Sequence, residues 1–129
     1  MILLLPMNEI ILSIGSNAEG RRKVAEAISR LSFFIYDAHA TPVIDTEPIG
    51  ISSAQPFANA MMRGYTALPF HALQSVIKNI ERMSGRNAAD AAKGIIHLDI
   101  DIMQYGERRL KPSDWHRPYI ITLLKHLLS

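Results

Sequence analysis

Apolar positions along this chain switch between short unbroken runs, a period of two and helical spacing, and each switch marks an element. Ile10-Ile11-Leu12-Ser13-Ile14 is nearly continuous and stops at Gly15, as in a strand buried on both faces. Val24, Ile28 and Leu31 follow at helical spacing with Ala25 and Ala27 between them, which predicts a helix over about 19–32. Residues 39–46 read as a second strand, limited by Pro42 to an edge or a bulge. Pro48, Gly50, Ser52, Ser53 and Pro56 make Thr46 to Pro56 a loop, and Phe57 to Thr66 alternates as a third strand. Pro69 suits the first turn of a second helix. Leu73, Val76, Ile77 and Ile80 fill its buried face, and Gly85 closes it. Residues 86–96 show no clear period. His97 to Met103 then alternates as a fourth strand, Gly106 and Arg108-Arg109-Leu110 suggest a short return, and Tyr119 to Leu128 reads as a final helix.

The order βαββαβ is that of an α+β, ferredoxin-like antiparallel sheet with helices on one face, plus a short C-terminal helix. The second sheet face is then left open. With 129 residues, 48% of them hydrophobic and 20% charged, residues 1–129 are expected to form a single soluble domain. The chain has no cysteine, which excludes a disulfide framework and thiolate metal sites and suits a reducing compartment. A formal charge of +2, with no basic run longer than Arg21-Arg22-Lys23, gives no footprint for nucleic acid. The opening Met1-Ile2-Leu3-Leu4-Leu5 ends at Pro6, too short for a signal core or a membrane span. Residues 1–8 are expected to be a loose extension, with Met7 an alternative start and the cytoplasm the expected compartment.

On the fourth strand, His97, Asp99 and Asp101 are expected to share one face and Leu98, Ile100 and Ile102 the other. Carboxylates two residues apart on a strand lie about 6–7 Å from each other and repel unless a cation or open water separates them. Mg²⁺ accepts one or two protein carboxylates and completes its shell with water and phosphate oxygens. A solvated face carrying two unrelated acids is the alternative.

Three segments recur in one arrangement: Ile14-Gly15-Ser16-Asn17 after the first strand, Glu47-Pro48-Ile49-Gly50 followed by Phe57-Ala58-Asn59-Ala60, and Leu98-Asp99-Ile100-Asp101-Ile102-Met103 followed by Tyr105-Gly106. With the βαββαβ order they resemble the 6-hydroxymethyl-7,8-dihydropterin pyrophosphokinases, which move diphosphate from ATP to a pterin alcohol in folate biosynthesis. The resemblance runs from about residue 9 to about residue 110. It implies that Asp99 and Asp101 hold two Mg²⁺ ions with ATP and are catalytic together with Arg86. It further implies a pterin site of Thr46, Glu47, Pro48, Ile49, Phe57, Asn59 and, by looser alignment, Tyr119. A flat heterocycle stacks on aromatic rings, and an Asn amide pairs with its donor–acceptor edge. For the nucleotide it implies Glu81, Arg86, Lys93, His97 and Arg117.

The chain departs from the family pattern on the nucleotide side. Where the family carries a longer basic segment with a Trp, this chain has Asn87 to Ile95 with Lys93 as its only cation. Ile96 stands where the family has an Arg, and the family's downstream Pro-His pair is missing. Lys111 falls near the position of that His. The resemblance therefore leads to a pyrophosphokinase of reduced activity, with a non-catalytic paralogue that binds pterin or nucleotide as the alternative.

Overall fold

The structure is a computed structural model that describes residues 6–47 and 55–128. Six strands form one antiparallel sheet: β1 (Asn8–Ser16), β2 (Tyr36–Ala40), β3 (Ile44–Thr46), β4 (Phe57–Thr66), β5 (Asp99–Tyr105) and β6 (Arg108–Arg109). Their order is β2-β4-β1-β5-β6, with β3 also paired to β4. Among the described residues the helices are four: α1 (Gly20–Leu31), α2 (Phe70–Met83), α3 (Ala88–Ala92) and α4 (Pro118–Leu128), the last preceded by a 3₁₀ turn at Asp114–His116. The arrangement is the expected ferredoxin-like one with an added C-terminal helix. Among the described residues no helix is long and apolar enough to cross a membrane.

The period of two divides each central strand between two cores. Ile10, Leu12 and Ile14 of β1, Ala58, Ala60 and Met62 of β4, and Leu98, Ile100 and Ile102 at β5 face α1 and α2. There they pack on Val24, Ala27 and Leu31 from α1 and on Leu73, Ile77 and Ile80 from α2. Burying each large aliphatic side chain in this layer is worth about 1.5–3 kcal/mol. The opposite face is not wholly open as expected, because α4 lies on part of it. Ile120, Leu123 and Leu127 cover Ile11, Met61 and Met103 there, with Trp115 at the edge. Ser13, Gly15, Phe57, Asn59, Asp99 and Asp101 emerge at one end of that face, beside α4.

Several element boundaries differ from the sequence expectation. The strand expected over 39–46 is two short strands, because Pro42 has no N–H to donate and the chain breaks there before pairing with β4 again. Asn8 is not part of a loose extension: it pairs with Thr66 as the first residue of β1. The opening run Met1 to Leu5 lies outside the described residues. The stretch without a period contains α3, capped by Asn87, whose side chain accepts from the Asp90 amide at 2.8 Å. Gly85 takes φ 103° after α2, the left-handed closing position its sequence place predicts.

Candidate functional site

Pairing fixes the site's floor. Gly15 of β1 stands between Asn59 of β4 and Asp99 of β5, and Ser13 between Met61 and Asp101. All point to the α4 side of the sheet. A cavity of about 150 Å³ opens above them, walled by Thr46, Glu47, Phe57 and Tyr119 and reached by Arg117. Gly15 leaves room for the Asn59 amide: a Cβ on it would lie 2.7 Å from Asn59 Oδ1, so a side chain there would displace it. The Asn59 amide nitrogen donates to Thr46 Oγ1 at 2.5 Å, which holds the amide edge in one orientation. Burial raises the Tyr119 hydroxyl above its ordinary range, so it stays a neutral phenol.

Asp99 and Asp101 also line a second opening, a cleft of about 450 Å³ along the free edge of β5. Its other walls include Phe70, Gln74, Lys78 and Glu81 of α2, together with Arg86, Leu110 and Lys111. One carboxylate pair thus forms the partition between two cavities. Burial and the neighbouring charge of Asp99 push the Asp101 carboxyl up to about 6, against the pull of Lys111, whose Nζ lies 3.6 Å from Asp101 Oδ1. A group raised in this way is one that a cation would relieve.

Glu81 and Arg86 are built into the sheet edge. Glu81 Oε2 accepts the Ile100 amide at 2.9 Å, satisfying an edge-strand donor that no neighbouring strand takes. Burial pushes this carboxyl up despite the Ile100 and Arg86 partners. Arg86 Nη1 reaches Glu81 Oε2 at 3.0 Å, the Leu98 carbonyl at 3.1 Å and Asp99 Oδ1 at 2.8 Å. Burial works against its charge, but the Asp99 bond and the charges of Glu81, Asp99 and Asp101 outweigh it and hold the guanidinium protonated.

The donor set can be tested against Mg²⁺. Among the described residues no group of three or more His, Cys, Asp or Glu side chains is placed to hold a metal. Two carboxylates, one of them ionising late, suit an ion that draws its remaining ligands from water and phosphate oxygens. Asp99 and Asp101 are the residues that would hold it.

A profile of the 7,8-dihydro-6-hydroxymethylpterin-pyrophosphokinase (HPPK) family matches residues 11–128. The chain belongs to this family. It is 30% identical over 131 residues to a folate synthesis bifunctional protein of Arabidopsis thaliana, covering 94% of this chain and 27% of that protein. A mitochondrial folate synthesis bifunctional protein of Pisum sativum is 30% identical over 133 residues, covering 94% of this chain and 25% of its own length. A bacterial one, from Chlamydia caviae, is 29% identical over 135 residues, covering 92% and 30%. The chain thus spans less than a third of the length of the curated relatives it matches.

The structure brings most of the expected family positions together. Thr46, Glu47, Phe57, Asn59 and Tyr119 meet at the smaller cavity, Glu81 and Arg86 at the cleft, and Asp99 and Asp101 at both, whereas Arg117, expected at the nucleotide, lines the smaller cavity and not the cleft. Pro48 and Ile49 lie outside the described residues. Lys93 and His97 line neither cavity. His97 is not on the acid face. The chain enters β5 from a bend at His97, so strand alternation begins only after it. The imidazole instead bridges Lys23 Nζ at 2.7 Å and Asp90 Oδ2 at 2.7 Å. One cleft residue escaped the sequence reading, Lys78; Lys111, noted there only as falling near the missing family His, also lines the cleft. Lys78 falls one residue after Ile77 in the buried pattern of α2, and its helical spacing to Glu81 is the signal that could have found it.

Proposed function

We propose that this HPPK-family chain transfers diphosphate from ATP to 6-hydroxymethyl-7,8-dihydropterin, a step of folate biosynthesis. The observation that carries this reading is the carboxylate pair shared by two cavities, one suited to a flat ring and the other to a polyphosphate. Phe57 and Tyr119 supply the stacking walls of the first, and the fixed Asn59 amide supplies a donor–acceptor edge. In the second, Lys78, Arg86 and Lys111 bring positive charge beside the acids.

The pterin hydroxymethyl oxygen would form a bond to the β-phosphorus while the bond from that phosphorus to the α,β-bridging oxygen breaks, releasing AMP. The hydroxyl proton leaves to solvent. Mg²⁺ held by Asp99 and Asp101 would neutralise the phosphate oxygens. The protein's share is positioning: the ring slot aims the hydroxymethyl group toward the partition, and Arg86 fixes the Asp99 carboxylate. Such transfer depends on placement and charge more than on a strong base.

The direct test is AMP release with 6-hydroxymethyl-7,8-dihydropterin and Mg-ATP. Turnover that disappears in Asp99→Asn and Asp101→Asn supports the reading. Pterin and Mg-ATP binding without any AMP would replace it with a non-catalytic role. Phe57→Ala should weaken pterin binding by about 1–3 kcal/mol through lost stacking and burial, read by calorimetry.

A further inference from the structure

We infer that Lys78 and Lys111 grip the nucleotide's polyphosphate, so that the cationic clamp stands on α2 and on the turn after β6 instead of on the segment ahead of β5. The inference rests on reading the cleft as the nucleotide site.

The segment from Asn87 to His97 is committed elsewhere. Asn17 donates to the Gly94 carbonyl at 2.7 Å and accepts from the Ile96 amide at 2.7 Å, while its own amide donates to the Ile96 carbonyl at 3.0 Å. An ammonium has no acceptor, so His97 Nδ1 must be the acceptor of the Lys23 bond and Nε2–H the donor to Asp90. Both imidazole nitrogens are then used. The Nη1 group of Arg86 is committed as well, serving Glu81, Leu98 and Asp99. Moving it to a phosphate would strip Asp99 of its partner.

Lys111 is in the opposite condition. Its ammonium stands 3.6 Å from Asp101, beyond hydrogen-bond length, on a side chain 53% exposed, so no hydrogen bond is broken when it turns to a phosphate. Its backbone has φ 54°, a left-handed conformation that Gly or Asn takes more readily. The surroundings enforce it. The Leu110 amide donates to the Met103 carbonyl at 2.9 Å, the Leu110 carbonyl accepts Trp115 Nε1 at 2.7 Å, and the Lys111 carbonyl accepts the Asp114 amide at 2.9 Å. A lysine kept at a strained, tightly held position beside the acid pair points to a function for its ammonium. Lys78 lines the same cleft from α2.

The test measures Mg-ATP binding by calorimetry for the wild type, Lys78→Met, Lys111→Gly and, as a control at an exposed position of α4, Lys125→Met. Each cleft variant should bind about tenfold more weakly, as expected for one charge-assisted contact, and with a shallower salt dependence. Lys125→Met should bind as the wild type does. Lys111→Gly should unfold at the same temperature or higher, because it relieves the left-handed strain, and a merely structural lysine would not behave so. Unchanged affinity in both cleft variants overturns the inference, even where the wild type releases AMP and the transfer reading stands. Weakened affinity with no AMP release from the wild type upholds the clamp and sinks the transfer. A wild type that does not bind Mg-ATP overturns both.

Discussion

Asn59 holds its amide in the space that a side chain at position 15 would need. Gly15→Ala places a methyl 2.7 Å from Asn59 Oδ1, so the amide must shift and its bond to Thr46 is strained. We expect a loss of about 1–3 kcal/mol in stability, of the size seen for overpacking, together with loss of pterin binding. A urea titration and a binding isotherm check the two halves, and a variant with normal pterin affinity would show that the Asn59 orientation is unimportant. Asp101 carries a pH prediction. Its carboxyl ionises near 3.8 in an unfolded chain and at about 6 in the folded one. Between those values the folded state binds more protons, so stability falls as pH rises through this window and stays lower above it. Asp101→Asn removes that penalty. In divalent-free buffer at neutral pH it should stabilise the fold by about 1–3 kcal/mol, a difference that vanishes below about pH 4. A less stable variant at neutral pH would mean that the Lys111 pair outweighs the burial.

At the scale of elements, the connection from α2 to β5 is held by side chains far away in sequence. Asn17→Ala removes one donor and one acceptor from the 94–96 backbone and leaves the Ile96 amide short of its partner. The expected cost is about 1–3 kcal/mol, with faster hydrogen exchange at Ile96 as the specific signature. Unchanged exchange there would assign the ordering to the Lys23–His97–Asp90 bridge. These long-range ties explain what the sequence could and could not disclose. β4 at Phe57–Thr66 and α2 at Phe70–Met83 were legible because a one-sided core imposes its period on every residue. Asp99 and Asp101 were legible for the same reason. His97 was misplaced because period two holds only inside a strand, and a bend precedes this one. Lys23, buried on α1, offers no sequence sign that its partner lies 74 positions away. Lys111 was legible only as standing near a missing family His, since its approach to Asp101 depends on how Leu110 and Trp115 seat the turn after β6.

In the whole molecule, two cores on opposite faces of one sheet have different consequences for the site. The α1–α2 layer sets the pairing that aligns β1, β4 and β5. The α4 layer does something more local, because Arg117 and Tyr119, at the start of that helix, reach the smaller cavity. Docking of α4 through Ile120, Leu123 and Leu127 is therefore also the placement of one stacking wall. Leu73 of α2 and Leu123 of α4 are both fully buried, so either change to Ala should destabilise the fold by about 2–5 kcal/mol. Their effects on binding should separate. Measured well below both unfolding transitions, Leu73→Ala should keep pterin affinity near that of the wild type. Leu123→Ala should weaken it several-fold, because a loosened α4 presents Tyr119 only part of the time and apparent affinity falls with that fraction. Equal affinities in the two variants would show that the wall holds its place without the packing beneath it.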